Sequence, residues 1–481
     1  MNSSLMILEI AVLVSGLGVL LIDLWTPADG KRALGYGAAA AVALILAYSF
    51  KLDATAAQFA FGQSYVLDGL ALFFKRFFLL AAVVVLVMSV DFADRIQTGI
   101  SEFYALVLFA LAGMMFAASA NDFTLLFVSL ELITITFYVL NSFQRNQQRS
   151  LEAGVKYLIL GALSSAFLVY GIALVYGTSG TFQFSELAGN ITAVSQKPIF
   201  LLGMILIVAG LGFKIAAFPF QMWAPDVYQG SPAPATAFLA VGSKAAGFVL
   251  LLRLLFGVAP EIARHWKPLL IGISAVTILY GNLCAIPQRN LKRLLGYSSI
   301  ANAGYLLLGI AAVSASGAAA ILYYLSGYLF TTLAGFMVIA VALRQVEGED
   351  VTALAGLGRR SPLLAAAMTL AMVSLAGVPP LAGFFGKFLL LKAAVQQGAT
   401  QPAFYWLVAV AIFGVVVSFY YYFGVIRAIY WSNDASQAAP ISIALPMRVA
   451  LWFCIAGMFY LGLFPDAVLG FVEQAVKSLR V

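Results

Sequence analysis

The feature that most limits what this chain can fold into is a succession of apolar stretches joined by short polar loops. Fourteen are legible, at about 4–24, 33–50, 68–90, 102–119, 122–142, 154–177, 198–220, 232–256, 267–286, 291–313, 318–343, 362–396, 403–430 and 447–474. A helix that crosses the hydrocarbon of a bilayer needs about 20 mostly apolar residues, and most of these stretches meet that length. Composition closes the alternative: only 10% of residues are charged, against about 25% in soluble proteins, so too few charges exist to cover a water-facing surface. The expected fold class is an all-α polytopic membrane protein with about 14 transmembrane helices. The first stretch carries Glu9 and lacks a small-residue cleavage pattern, so it reads as a retained helix and not as a signal peptide.

The net charge of +7 follows from the same architecture. Loops after odd-numbered stretches hold Lys31, Arg32, Arg95, Arg145, Arg149, Arg289, Arg344, Arg359 and Arg360, and loops after even-numbered ones hold Lys51, Lys197, Arg264 and Lys267. Cytoplasmic loops are the ones enriched in Lys and Arg, which puts the odd loops in the cytoplasm and both termini on the opposite side, the periplasm of a bacterium. No basic cluster is interleaved with aromatics, so nucleic acid is not an expected partner. The longest connections, near 178–197, 344–361 and 431–446, are too short for a soluble domain.

Several chemistries are excluded by count. Cys284 and Cys454 both lie in apolar runs, too few for a disulfide framework, a thiolate zinc site or a four-cysteine iron–sulfur site. The one histidine, His265, sits in a loop between Arg264 and Trp266 and reads as solvated; it cannot supply bis-histidine haem ligation. No glycine-rich phosphate loop opens a helix, and no nucleophile–base pair is evident. No metal, cofactor or catalytic residue is expected in this chain itself.

Two stretches are interrupted. The seventh contains Gly210, Gly212 and Pro219; the twelfth contains Gly377, Pro379-Pro380 and Gly383. Proline removes a backbone donor and clashes with the preceding turn, and a broken helix is tolerated in a bilayer only where the freed backbone lines protein or a hydrated cavity. Interrupted helices at matching positions in two halves point to a transport site. Grouping stretches four to eight and nine to thirteen makes each interrupted helix the fourth of its unit. Because five is odd, consecutive units have opposite orientations, an inverted repeat. The organisation read from the chain is an N-terminal three-helix segment (1–100), a first five-helix repeat (101–260), a second, inverted one (261–432) and a C-terminal helix (433–481).

Charges placed near the middle of apolar stretches carry the functional reading. Glu131, Lys214, Lys244 and Lys387 lie deep in stretches five, seven, eight and twelve. Each costs at least about 2.5–3.5 kcal/mol at the bilayer centre. Desolvation lets a lysine release its proton near neutral pH, which arginine cannot do. Proton transfer is therefore the expected chemistry, with Glu131 and Lys214 forming a pair, Lys244 carrying the proton onward and Lys387 at the other half-site. Lys292, at the start of stretch ten beside Arg293, is either an anchor or an extension of the relay. Ser129, Thr134, Ser164, Ser165, Ser243, Ser298, Ser299 and Tyr305 could hold water beside the charges or bond helix to helix. Lys156, Arg253 and Arg427 are placed to snorkel, and Glu9, Asp23, Asp68 and Asp91 read as boundary residues. The blander alternative is that the buried charges are ion pairs fixing helix packing, against which the lysines without matching carboxylates argue.

At these residues the chain resembles a known family. Gly212-Phe-Lys-Ile-Ala-Ala-Phe-Pro-Phe-Gln-Met-Trp-Ala-Pro-Asp-Val-Tyr-Gln-Gly-Ser-Pro-Ala-Pro234 and Ser129-Leu-Glu-Leu132 look like signatures of the antiporter-like subunits of respiratory complex I, NADH:quinone oxidoreductase. The run Asn290-Leu-Lys-Arg-Leu-Leu-Gly-Tyr-Ser-Ser-Ile300 with Gly304-Tyr305 resembles the subunit N branch of bacteria. The resemblance covers essentially the whole chain. It implies fourteen helices, two inverted five-helix units, broken helices seven and twelve, a helix-five glutamate at Glu131, and lysines at Lys214 and Lys244. Lys387 matches subunit N, where subunit M has glutamate, and the end of the chain soon after stretch fourteen argues against subunit L with its long lateral helix. Some relatives carry a histidine on the line; here a relay must use lysine, hydroxyls and water. The resemblance further implies a proton-translocating subunit of the bacterial inner membrane, partnered by other membrane subunits, especially neighbouring antiporter-like ones, and by lipids. Flavin, iron–sulfur clusters and the quinone site would belong to companion subunits. A subunit of a multi-subunit sodium/proton antiporter is the competing reading.

Overall fold

A computed structural model describes residues 3–53, 56–96, 98–344, 348–431 and 440–479. Among these residues, 13 helices are long and apolar enough to cross a bilayer. Four follow in direct order from Ser4–Asp23 through Ala28–Ser49 and Gly69–Asp91 to Ile100–Ala118. The fifth to seventh spans are Phe123–Asn141, Gln148–Ser179 and Pro198–Ile215; the eighth is Ala233–Val258. The ninth to eleventh are Lys267–Ala285, Leu291–Ala312 and Ala315–Ala342, and Ala403–Trp431 and Leu445–Leu463 close the series. The twelfth apolar stretch forms two shorter helices, Pro362–Ala376 and Ala382–Gly398. The chain is a multi-pass membrane protein. The boundary expected between 432 and 433, and parts of the 344–361 and 431–446 connections, lie outside the described residues.

Burial sorts the spans into a centre and a periphery. The most apolar windows of the eighth and tenth spans are 100% buried within the chain, and those of the first, second, sixth and thirteenth no more than 33%. A helix apolar all round belongs in such a core, where every face meets protein. The two central helices carry Lys244 and Ser299, so these two residues sit where neither lipid nor bulk water reaches.

Three departures from helical regularity matter. The seventh span ends at Ile215 and helix resumes only at Trp223–Gly230; Ala216 takes the left-handed conformation (φ 58°) and Phe218–Pro219 is cis. The twelfth ends its first half at Ala376, with Gly377 left-handed (φ 85°) and Pro379–Pro380 cis. A Cβ on Gly377 would also meet the Lys387 side chain at 3.0 Å, so both conformation and space call for glycine there. The eighth span, the stretch at 232–256, is not plain α-helix throughout. Instead it contains two π-helical turns, Leu239–Ser243 and Arg253–Val258, the first ending immediately before Lys244. Such turns leave one carbonyl per turn out of register and concentrate at functional sites.

The fourteenth stretch, read as one helix over 447–474, divides at Phe464: Leu445–Leu463 is followed by an amphipathic helix, Pro465–Val476. Pro465 starts a new helix because its missing N–H is no loss in a first turn. In the connection after the second span, Gln58–Ala60 pairs antiparallel with Tyr65–Leu67. That hairpin drives Tyr65 into the protein between the first and third spans.

Candidate functional site

Each helix break has a lysine beside it, and at the second the lysine meets the freed backbone carbonyls. The last four carbonyls of a helix have no intrahelical partner and bear partial negative charge. Lys387, in the second half of the twelfth span, turns back on the first half: its Nζ donates to the carbonyls of Leu375 (2.6 Å) and Ala376 (3.3 Å) and lies 4.9 Å from the Tyr305 ring centre. Gly383 N donates to Ser374 Oγ (3.3 Å) across the same break. Lys214 lies in the last turn before the other break, which Trp223 closes by donating its indole N–H to the Phe213 carbonyl (2.9 Å). The two lysines thus flank their breaks on opposite sides in sequence.

Lys214 donates to Thr134 Oγ1 (2.6 Å) and to the Tyr157 hydroxyl (3.3 Å). Thr134 gives its own proton to the Leu130 carbonyl (2.6 Å), so a lone pair faces the lysine. Glu131 and Lys214, expected to pair, make no direct ion-pair contact among the described residues, although the Glu131 carboxylate still acts on the Lys214 charge through space. Glu131 is half-buried, one helical turn from Thr134, and accepts from Ser165 on the sixth span. The helical offset of three residues put the threonine and not the carboxylate over the lysine.

Lys244 donates to the Ser299 carbonyl (2.6 Å) and to Ser299 Oγ. The same hydroxyl meets the Tyr228 hydroxyl at 2.9 Å and accepts from the Tyr328 hydroxyl at 3.2 Å. A serine hydroxyl has one proton and two lone pairs. With Lys244 and Tyr328 both donating, Ser299's proton must point at Tyr228. Next along the tenth span, Ser298 Oγ bonds the Tyr422 hydroxyl (2.5 Å) and accepts from Asn302 (3.4 Å), which in turn accepts from Tyr324 (2.6 Å). A small cavity of about 10 Å³ adjoins this group, lined by Tyr228, Ser298, Tyr328, Thr331, Thr332 and Leu375. That is room for about one water. It lies between the Ser299 hydroxyl cluster and Leu375, whose carbonyl receives Lys387.

Lys214, Lys244 and Lys387 are 4%, 2% and 5% exposed, and no carboxylate lies within ion-pair distance of any of them among the described residues. Lys292 differs: it is buried but paired with Glu349 (2.7 Å) and donates to the Ser231 carbonyl (3.1 Å). Arg293 and Lys156 both bond Asp226 on the helix that follows the seventh-span break.

Two expectations fail at the margin of the bundle. Glu9 and Asp68, read as boundary residues, are buried. Glu9 pairs with Lys75 at 2.8 Å, and the Tyr65 hydroxyl donates to Glu9 (3.0 Å) while accepting from Lys75 (2.6 Å). Asp68 takes a two-pronged pair from Arg253, which also donates to the Ala118 carbonyl (2.7 Å) and does not snorkel. Lys75 escaped notice in the sequence although its position, seventh in a 23-residue helix, marks it as well inside the bilayer. The tyrosines around Lys244 were missed too, since nothing local signals a hydroxyl supplied from a helix 71 or 29 residues away. His265 is off the line, bonded to the Glu261 carbonyl (2.8 Å).

A bundle of apolar helices with two interrupted spans and a buried line of lysines defines the class of antiporter-like membrane subunits, and comparison with known proteins makes the assignment specific. Residues 120–412 match the family described as "NADH:quinone oxidoreductase/Mrp antiporter, TM". The chain belongs to this family. NADH-quinone oxidoreductase subunit N of Moorella thermoacetica is 41% identical over 477 residues, covering 99% of each chain. A chain of respiratory complex I from Thermus thermophilus is 34% identical, with TM-score 0.80 over 97% of this chain and 99% of that one. A chain of the Mrp complex from Dietzia sp. shares the fold at 20% identity, with TM-score 0.82 over 100% and 98% of the two chains.

Proposed function

We propose that this chain is the proton-translocating membrane subunit N of an NADH:quinone oxidoreductase, moving protons along Glu131, Lys214, Lys244 and Lys387 while quinone is reduced in companion subunits. The observation that carries the proposal is the set of three buried lysines held by hydroxyls and main-chain carbonyls with no carboxylate partner. An ammonium so held has no carboxylate in direct contact to hold its proton, Glu131 acting on Lys214 only through space. A neutral amine in the same place is also satisfied: Tyr157 can donate to Lys214, and Ser299 to Lys244.

The Lys244 cluster gives the mechanism a geometry. When Lys244 is charged, Ser299 accepts from it and donates to Tyr228. When Lys244 is neutral, its lone pair accepts from Ser299, which then accepts from Tyr228. Reversing the hydroxyls passes the effect of a proton across the cluster without moving heavy atoms. One water in the adjoining cavity would take the proton from Tyr228 on toward Lys387, whose amine is held at the Leu375 carbonyl. Lys292, paired with Glu349, serves as an anchor at the end of this line.

The same reading places 101–260 and 261–432 as inverted units, supported by a helix break in the fourth span of each. It sets the termini in the periplasm of a bacterial inner membrane, supported by the basic odd loops. Flavin and iron–sulfur clusters belong to companion chains. Family membership alone also allows a subunit of a sodium/proton antiporter; the full-length likeness to subunit N favours the first reading.

The test is made in the assembled complex. Lys244→Ala or Lys214→Ala should slow proton transfer by this route about a hundredfold or more while assembly and NADH oxidation persist; Glu131→Ala should lower pumping too. Protons translocated per electron, measured in sealed vesicles, decide it: an unchanged ratio in an assembled variant sinks the relay. Mass spectrometry of the chains that co-purify separates the two assemblies, since flavin- and iron–sulfur-bearing companions fit only the first.

A further inference from the structure

The third span carries a cation that the proton line does not use. Arg76, eighth in Gly69–Asp91, lies about 10 Å along the helix from its start. Its guanidinium donates to the Ser49 carbonyl (2.8 Å) and, at 3.5 Å, to the Leu52 carbonyl, and its carbon stands 4.6 Å from the Phe50 ring centre and 5.6 Å from that of Phe471. Its Nε is buried without a hydrogen-bond partner, and no carboxylate pairs with it among the described residues. Arginine does not lose its proton, so this charge enters the membrane uncompensated by protein, an arrangement that costs free energy unless an anion comes to it.

Two cavities meet at this residue. One, of about 640 Å³, is an apolar groove between the second, third, eleventh and fourteenth spans, walled by Leu46, Phe77, Leu80, Phe330, Ala456 and Tyr460. The other, of about 500 Å³, is the more polar of the two and lies at the end of the third span and the C-terminal amphipathic helix, with Asp53, Asp68, Lys477 and Ser478 in its wall. Arg76 and Phe471 line both. Asp68 is committed to Arg253, so among the described residues the other charged groups lining this space are the cations Arg76 and Lys477 and the Asp53 carboxylate, with the two cations in excess.

We propose that this joined cavity binds one bilayer phospholipid, with its phosphodiester at Arg76 and Lys477 and an acyl chain in the groove. A phosphate supplies the missing counter-charge with bidentate geometry suited to a guanidinium. The acyl chain covers an apolar face that is otherwise open between spans. The helix of a companion subunit could fill the groove but would bring no anion to Arg76.

The experiment uses the whole complex in nanodiscs of phosphatidylethanolamine and phosphatidylglycerol, extracted into mild detergent and washed to strip loosely held lipid. A photoreactive amino acid in place of Ala456 should then crosslink to a phospholipid, identified by mass. Arg76→Gln should cut that yield by about tenfold or more, the loss expected when a charged donor is removed, and Arg76→Lys should restore most of it. If Arg76→Gln fails to assemble, Ala456→Trp, which fills the groove and leaves the arginine in place, should by itself lower the amount of co-purifying phospholipid seen by native mass spectrometry. Capture of a companion subunit at position 456, or lipid retention indifferent to the variants that assemble, overturns the proposal.

Discussion

Two kinds of buried lysine occur in this chain. Lys75 and Lys244 are 0% and 2% exposed, so burial does not distinguish them. Their partners do. Lys75 faces the Glu9 carboxylate at 2.8 Å and the Tyr65 hydroxyl at 2.6 Å; Lys244 faces a serine carbonyl and a hydroxyl shared with two tyrosines. A carboxylate fixes the charge of its partner, because either ion alone would be uncompensated in a low dielectric. Neutral oxygens satisfy hydrogen bonds and leave the charge free to go. Lys75 therefore ties the first and third spans to the hairpin, whereas Lys244, Lys214 and Lys387 are suited to exchange protons.

The largest effect should come from separating these roles. Glu9→Leu leaves Lys75 buried and alone, at a cost of about 3–5 kcal/mol, and should reduce the amount of assembled subunit and its thermal stability. Glu9→Leu with Lys75→Leu should recover most of that loss, and the recovered complex should pump normally. Lys244→Ala should do the opposite, with full assembly and lost pumping. Recovery of stability without pumping in the double variant would make the Glu9–Lys75 pair part of the proton route and erase the distinction.

Arginine sharpens the comparison. Lys75→Arg keeps both charge and carboxylate, so pumping should persist. Lys214→Arg and Lys244→Arg keep a charge that cannot be given up, so pumping by this route should fall about a hundredfold or more while assembly is retained. Protons per electron in vesicles read both. Normal pumping with arginine at 214 or 244 would remove lysine titration from the mechanism.

Much of this was legible in the sequence, and the parts that were not have a common cause. Hydropathy marks the spans because lipid imposes a length and a polarity on each. Pro219 and Pro379-Pro380 announce the breaks because proline cannot continue a helix. Lys214, Lys244 and Lys387 stand out by depth alone. What a sequence does not carry is which face of one helix meets which face of another. Thr134 and not Glu131 over Lys214, Tyr228 and Tyr328 over Ser299, and Glu9 against Lys75 are all rotational facts about packed helices. The π-turn before Lys244 is of the same kind: Gly242 in it sits against Met114, and a lone glycine in an apolar stretch does not distinguish a π-turn from plain helix.

A third effect is smaller and tests the hydroxyl cluster. Ser299→Ala removes one oxygen that serves Lys244, Tyr228 and Tyr328, leaving buried polar groups short of a partner at about 1–3 kcal/mol. The Ser299 carbonyl remains for Lys244, so the lysine stays anchored. Pumping should slow but not vanish, and Ser299→Thr, which keeps a hydroxyl, should recover part of it. An alanine variant that pumps at the normal rate would mean that the proton passes Lys244 by another path.

The smallest effect is expected at the rim. Lys156 is 41% exposed on its side chain and shares Asp226, itself 29% exposed, with Arg293. Lys156 also bonds Glu152 one turn away, so its charge is balanced twice over. Solvated pairs of this kind are worth below about 1 kcal/mol, and Asp226 keeps Arg293 when Lys156 is lost. Lys156→Gln should therefore change thermal stability by no more than a degree or two, about the shift that such an energy gives in a large domain, and leave protons per electron unaltered. A pumping defect in this variant would extend the proton line from the buried centre to the helix following the first break, because Lys156 connects to that helix through Asp226. The comparison would then turn on depth and connection together, and not on the absence of a carboxylate alone.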